Sequence, residues 1–559
     1  MLQWIGLTLN SVAQAKTGTG KTIAFLLPLL QRMITDDPSL AARSASRRAR
    51  SDDIRGIILS PTRELAEQIA KEAKDLVRHT GLVVQSAVGG TQKSAMLRAT
   101  QRQGCHLLVA TPGRLLDLLQ DDRSGIDAPN LSALVLDEAD RMLDVGFERE
   151  LQDILKYLPS RAERTRQTLL VSATIPDNVI RLARSMVRAD DFEFVQTIAE
   201  NEALTHEKIP QHVVPLTSWA NVYPSLFELI DKEVAQRTED PNAMPFKAIV
   251  YLNTTALTQL SGELGFLRRS DGLLKIPTFA IQSQLTQMQR TKASERFRNA
   301  RTGILFSSDV TARGMDFPNV THVIQIDAPR DRESYIHRLG RTGRQNKDGE
   351  GWLFLPPQSV GTARRMLKGL PLQLNETLES FNAKKNDFEE SKYHTSLSDA
   401  YAGVPNDLLS TMYKSIFGSF VGNKKNELVD DLNDWATLGW RWDQPPQVSR
   451  MWAQKMGMGR ANLNFGDRRG DQSSSSRFDD DDGKDFDRPS SRNSSGSSGD
   501  PFKDMSRFVR RDDRQYGGRD NRDNRGRRNS GRRDFGGRGR SDRGGDRGYG
   551  ASRDEGSSW

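Results

Sequence analysis

Cysteine is almost missing from this sequence: Cys105 stands alone among 559 residues. A single thiol excludes an intramolecular disulfide and a cysteine-rich zinc site, and it fits a reducing compartment. Long apolar runs are missing as well. No stretch approaches the roughly 20 apolar residues that span a bilayer, so a soluble chain with no membrane partner is expected. Aromatic residues make up only 7% of the chain and apolar residues 36%, which points to ordinary domains diluted by a large disordered share. The N-terminus carries neither a charged segment leading an apolar one nor an Arg-rich amphipathic presequence.

What is present is length and positive charge. The chain is too long for one hydrophobic core, so two or three folded units plus tails are expected. The net charge of +8 leans toward polyanionic partners. From Ser11 to about Phe194, short apolar runs alternate with amphipathic stretches. Gly56 to Ser60, Leu107 to Ala110, Leu134 to Leu136 and Thr168 to Val171 read as buried strands, with a helical period from Glu64 to Arg78 between them. Ala248 to Tyr251, Gly303 to Phe306 and His322 to Gln325 begin a second such series. Alternating β and α units imply parallel sheets covered on both faces. The predicted architecture is α/β, with two tandem lobes at residues 1–197 and 210–357 and a polar linker at 198–209. After Pro357 the alternation is expected to stop. Residues 358–455 read as a helical extension, with Leu408, Leu409, Met412, Ile416 and Phe420 at helical spacing. Residues 456–559 read as a disordered basic tail of Arg, Gly, Ser and Asp.

Two motifs carry the chemistry. Ala15, Lys16, Thr17, Gly18, Thr19, Gly20, Lys21 and Thr22 follow a short apolar run and precede the helical run Ile23 to Leu30. Such a loop surrounds phosphates with backbone N–H groups. Lys21 adds charge at the β/γ oxygens, and the Thr22 hydroxyl is a Mg²⁺ ligand. In Leu134 to Asp140, two carboxylates sit where an apolar strand ends, the edge at which parallel sheets bind ligands. Asp137 is the second candidate metal ligand, and Glu138 the candidate base for the attacking water.

Asp137-Glu138-Ala139-Asp140 is the tetrapeptide that names the DEAD-box helicases, and the chain resembles that family over about residues 11–357. The other motifs follow in family order, and the resemblance implies two RecA-like lobes, ATP and Mg²⁺ as cofactors, and RNA as partner. It implies that RNA is gripped by Pro61, Thr62, Arg63, Gly90, Thr111, Pro112, Gly113 and Arg114 of the first lobe, and by Gln287, Arg290, Ser308 and Arg313 of the second. Hydroxyls, arginines and helix-start N–H groups of this kind hold phosphates without reading bases, so little sequence preference is expected. The resemblance makes Ser172, Ala173, Thr174 and His337 the residues that link hydrolysis to strand separation. Asp316 meets the ATP ribose, and Arg341 and Arg344 reach the γ-phosphate from the opposite lobe as arginine fingers. The histidine and three arginines of the segment from His337 to Arg344 read as too dense a charge for a core.

Three departures stand out. The adenine-reading segment expected before the phosphate loop is not supplied by Met1 to Asn10, so the start of the chain is expected to be missing. A His-Gly pair usual in the second lobe reads Gln282-Ser283, and Tyr251 stands where phenylalanine is common. Arg313 to Val320, the segment Asn201 to Val214 and the helical extension are similar to the fungal mitochondrial helicases that assist group I and group II intron splicing. That likeness implies a monomeric RNA chaperone of the mitochondrial matrix, with translation as a further role and a basic tail that tethers large RNAs. The alternative reading is a non-catalytic RNA-binding scaffold.

Overall fold

The computed structural model describes residues 10–15, 20–90, 92–160, 165–187, 192–197, 209–312, 315–344, 347–458 and 461–465. The apolar runs form strands in two sheets. In the first, β1 (Asn10–Gln14), β2 (Gly56–Leu59), β3 (Val84–Ala87), β4 (Leu107–Ala110), β5 (Ala133–Asp137), β6 (Gln167–Ser172) and β7 (Phe192–Gln196) lie in the order β3-β4-β2-β5-β6-β1-β7. In the second, β8 (Gln211–Pro215), β9 (Lys247–Leu252), β10 (Thr278–Ile281), β11 (Gly303–Ser307), β12 (His322–Ile326), β13 (Glu350–Leu355) and β14 (Leu372–Leu374) lie in the order β10-β11-β9-β12-β13-β8-β14. The pairings in both are parallel.

The period-2 alternation of a strand explains why these runs are apolar throughout. Ile57, Leu108, Leu134 and Leu136 face one core of the first lobe, and Ile58, Val109 and Val135 face the other. In the second lobe Ala248 and Val250 face one core, Ile249 and Tyr251 the other. The helix predicted from Glu64 to Arg78 spans Arg63–Leu76, with the Thr62 hydroxyl accepting from the Leu65 N–H at 3.3 Å as its cap. Ala15, Asp137, Ser172 and Ser308 all lie at the carboxyl ends of strands, so the topology gathers the motifs on one edge of each sheet.

The stretch after Pro357 differs from expectation. The alternation continues through a helix, Val360–Met366, into β14, which pairs with β8. Three half-exposed residues are too short a strand to leave a periodic signal. Helices Lys392–Ala402, Asn406–Ser419, Lys425–Asp434 and Arg450–Lys455 follow. Packed structure also runs past residue 455: Met458 and Leu463 are buried, and Val448 bridges to Phe465. The linker as far as residue 208 and the tail from 466 lie outside the described residues.

The helices after β14 share one core with the second lobe. Trp219 stacks on Trp435 at 6.0 Å, and Tyr223, Tyr401 and Trp440 surround the same ring. Asp431 accepts from Ser218 Oγ at 2.6 Å, the Trp219 N–H and Gln358 Nε2 at 3.0 Å. His394 is buried against Phe388 and sits 2.9 Å from Asn221 Oδ1. Burial lowers the His394 pKa to about 4. A histidine lowered in the fold contributes stability above its unfolded pKa near 6.5, and that contribution is lost as pH falls toward 4. Urea unfolding is therefore expected to show stability lost between pH 7.5 and pH 5, by up to about 2 kcal/mol. His394→Gln is expected to flatten that dependence.

Candidate active site and nucleic-acid interface

At the edge of the first sheet, the Ala15 N–H donates to the Ser172 carbonyl at 3.0 Å, carrying the chain beside β6 beyond the end of β1. Gly20 enters the helix Lys21–Asp36 at φ 82°, a left-handed backbone that favours glycine. Lys16, Thr17, Gly18 and Thr19 lie outside the described residues. Lys21 is 8% exposed and its Nζ lies 3.3 Å from Glu138 Oε1. Glu138 adopts φ 54°, and at that bend β5 turns into the following helical turn. A left-handed glutamate is uncommon and costly, and such strain concentrates at functional sites.

Asp137 Oδ1 accepts the Glu138 N–H at 3.1 Å, and both residues are buried. Burial, and next the Glu138 charge, push the Asp137 pKa up to about 7. A carboxyl raised by desolvation and like charge is the donor that a hard divalent cation would deprotonate and hold. Together with the Thr22 hydroxyl at the helix start, the residues fit Mg²⁺.

Asp140 is the hub that sequence reasoning left unassigned. Its N–H donates to Ser172 Oγ at 3.3 Å, Thr174 Oγ1 donates to its Oδ2 at 2.8 Å, and His337 Nε2 of the second lobe lies 3.9 Å from that same oxygen. The Ala173 carbonyl accepts from Gln14 Nε2 at 3.4 Å. Ser172, Ala173, Thr174 and His337 thus meet at the seam between lobes, two residues along the chain from Glu138.

The expectation that the segment from His337 to Arg344 is too charged for a core is overturned. His337, Arg338 and Arg341 are all at most 3% exposed. Carbonyls and acids inside the lobe neutralise them. Arg338 donates from Nε to Asp309 at 2.7 Å and from its terminal nitrogen to Asn253 at 3.1 Å, over the Tyr251 ring. The Tyr251 hydroxyl donates to the Thr311 carbonyl at 3.1 Å. Arg341 donates to the carbonyls of Met315 and His337, at 2.5 and 3.3 Å. Burial, and next Arg344, lower its pKa to about 9, and Glu138 of the other lobe acts on it in the opposite sense. Arg344 pairs with Asp316 at 2.6 Å, so the expected ribose partner and one expected finger hold each other.

Farther along the same carboxyl edge, Arg63 packs against Gly89 and Gly90. Gly90 has φ 76°, and a Cβ on it would collide with the Arg63 guanidinium. The glycine pair therefore both turns the chain and makes room. Burial, and next Arg290, lower the Arg63 pKa, with Arg114 acting in the same direction. Three arginines from three segments converge there, a concentration of charge suited to phosphates. Thr111 and Pro112 open the helix Pro112–Leu119, Gly113 lies in its exposed first turn, and Arg114 approaches Asp117 at 3.7 Å. Pro61 lies beside Thr62 at the start of the helix Arg63–Leu76. Ser308 follows β11, its N–H donating to Ile281 at 3.3 Å. Arg313 lies outside the described residues.

Gln287 and Arg290 are buried in the seam. Arg290 forms an ion pair with Glu64 at 2.9 Å and donates to Gln287 Oε1 at 2.8 Å. Gln287 Nε2 and Thr291 Oγ1 both donate to Glu67 at 3.3 Å, and the Asp316 N–H donates to Gln68 Oε1 at 3.2 Å. Glu64, Glu67 and Gln68 escaped the sequence reading, though their i, i+3, i+4 spacing marks one face of one helix.

Residues 3–182 match the DEAD/DEAH box helicase family, and residues 227–346 match the helicase conserved C-terminal domain. The chain is 55% identical over 450 residues to the ATP-dependent RNA helicase cyt-19, mitochondrial, of Neurospora crassa, covering 80% of this chain and 72% of that one. It is 46% identical over 464 residues to the ATP-dependent RNA helicase mss116, mitochondrial, of Aspergillus fumigatus, covering 80% and 70%. A structure of Mss116p lacking its NTE and C-tail, bound to ssRNA and AMP-PNP, matches with TM-score 0.65 and 30% identity, over 82% of this chain and 89% of that one.

The buried Glu64–Arg290 pair bridges the two lobes, so removing one partner should disfavour their closed arrangement. Glu64→Gln is expected to lower the closed population tenfold or more with RNA and a non-hydrolysable ATP analogue present, read by fluorophores on the two lobes. Adding Arg290→Gln should then cost far less than it does alone, because broken buried pairs are not additive.

Proposed function

The chain belongs to the DEAD-box family of ATP-dependent RNA helicases, and from that premise we propose how its residues couple ATP hydrolysis to RNA remodelling. The carrying observation is that acids at the end of β5 face basic side chains of the second lobe: Asp140 lies 3.9 Å from His337, and Glu138 acts on Arg341.

In this reading, the ATP phosphates take over the two ion pairs that the cleft makes internally. Lys21 turns from Glu138 to the β/γ oxygens, and Arg344 turns from Asp316 to the γ-phosphate. That exchange frees Glu138 to accept the proton of the attacking water, and frees Asp316 to meet the ribose. The water oxygen bonds to the γ-phosphorus as the bond to the β-bridging oxygen breaks, leaving ADP and phosphate. Arg341 and Arg344 stabilise charge on the transferred group. Thr22 and Asp137 would hold Mg²⁺, which neutralises charge on the phosphate oxygens when bound.

RNA lies along Arg63, Gly90, Thr111 to Arg114 and Ser308, with Arg290 at its margin and Arg313 as a further contact by family resemblance. ATP and RNA both favour the closed arrangement, so each strengthens the other. Closure on a bent single strand separates short duplexes without translocation. The similarity to mitochondrial relatives, and the extension fused to the second lobe, support a monomer in the mitochondrial matrix that assists group I and group II intron splicing.

Glu138→Gln tests the assignment of the base. The variant is expected to bind ATP and single-stranded RNA as the parent does, and to hydrolyse ATP about 100-fold more slowly or worse. Unchanged turnover would show that another group takes the proton.

A further inference from the structure

The second lobe carries a cluster of histidines and carboxylates far from the cleft. His322 is the first residue of β12, Glu350 the first of β13 and His212 the second of β8. All three lie at the amino ends of parallel strands, whereas the motifs sit at the carboxyl ends. Glu233 reaches the same point from the helix Val222–Glu239.

The hydrogen bonds of Thr321 fix the state of the His322 ring. Thr321 Oγ1 donates its one proton to the Lys247 carbonyl at 3.1 Å and accepts the Lys247 N–H at 3.0 Å. With its proton on that carbonyl, Thr321 Oγ1 accepts from His322 Nδ1 at 2.9 Å, and in this arrangement Nδ1 carries the hydrogen. In a neutral ring, Nε2 is then a lone pair. It is fully buried, lacks a hydrogen bond of good geometry, and faces Glu233 Oε2 at 3.1 Å and Glu350 Oε2 at 3.7 Å. Three electron-pair donors aimed at one another are held together by a cation between them, either a proton on Nε2 or a metal ion.

We propose that His322, Glu233, Glu350 and His212 form a binding site for a divalent transition-metal ion of the zinc class. His322 Nε2, Glu233 Oε2 and Glu350 Oε2 lie within 4.8 Å of one another. His212 Nε2 is 3.8 Å from the same Glu350 oxygen but lies outside that group of mutual distances, so it would have to move inward to serve as a fourth donor. A tetrahedral ion bonded at roughly 2.0–2.2 Å sets its donors about 3.4 Å apart, close to these spacings. Imidazole with carboxylate is a donor set that suits zinc. The Nδ1–H bond to Thr321 is the outer support that orients a ligating histidine. Phe246 and Trp352 lie tilted against the His322 and His212 rings at 4.8 and 4.4 Å. Arg237 flanks the carboxylates, 3.2 Å from Glu233 Oε2 and 3.7 Å from Glu350 Oε1, and competes with the ion for their charge. A metal here would tie β8, β12, β13 and a helix together at the base of the lobe.

The full chain, stripped with chelator in Mg²⁺-free buffer without nucleotide, is titrated with Co²⁺ and then Zn²⁺. The expected result is one equivalent of Co²⁺ with the visible absorption of a four-coordinate ion, displaced by Zn²⁺, and a raised unfolding temperature. Glu350→Gln and His212→Ala, both partly exposed and far from the cleft, are expected to weaken Co²⁺ binding at least tenfold with unchanged circular dichroism. Failure of the parent to bind Co²⁺ would overturn the proposal. So would binding that both variants leave unchanged, which would place the ion elsewhere, as at Glu138, Asp140 and His337. A chain whose stability falls as pH rises and ignores Zn²⁺ would identify a proton on His322 as the cation instead.

Discussion

Three carboxylates crowd the carboxyl end of one strand, and much of the cleft is arranged around them. Asp137, Glu138 and Asp140 are each at most 3% exposed, and burying an unmatched carboxylate costs several kcal/mol. Lys21 answers part of that charge from within the first lobe. His337 and Arg341 answer more of it, but they belong to the second lobe. The acids of the first lobe and the cations of the second are therefore each other's solvent when the lobes meet. A triphosphate and its metal change that balance, which makes closure depend on what occupies the cleft.

The seam itself is polar, in contrast to the cores on either side. Glu64, Glu67 and Gln68 from one helix face meet Arg290, Gln287, Thr291 and the Asp316 N–H. Polar groups can be satisfied by water when the lobes part, so opening costs less than separating an apolar face of the same size would. The helices after β14 behave in the opposite way. They share Trp219, Tyr223, Tyr401, Trp435 and Trp440 with the second lobe in one core, and exposing that surface would forfeit aromatic burial. The second lobe and its extension accordingly form one packed body.

Strand direction divides the second lobe between two tasks. Its carboxyl edge presents the arginines and Ser308 to the cleft, and its amino edge gathers His212, His322, Glu350 and Glu233. Both edges hold buried charge, and in both the charge comes from segments distant in sequence.

The sequence by itself determined the two parallel sheets and the edge on which the motif residues lie. A strand buried on both faces must be apolar along its length, and a phosphate loop or strand-end acid pair is a contiguous pattern of a few residues. Such local regularities survive in a single sequence. The partners of the buried charges were decided only by tertiary structure: Arg290 with Glu64, Asp140 with His337, and Arg338 with Asp309. So were the burial of the arginine-rich segment, the short strand β14 and the histidine cluster. Periodicity reports that a residue is buried, but the group that satisfies a buried charge is set by how distant segments pack, and no local pattern encodes that distance.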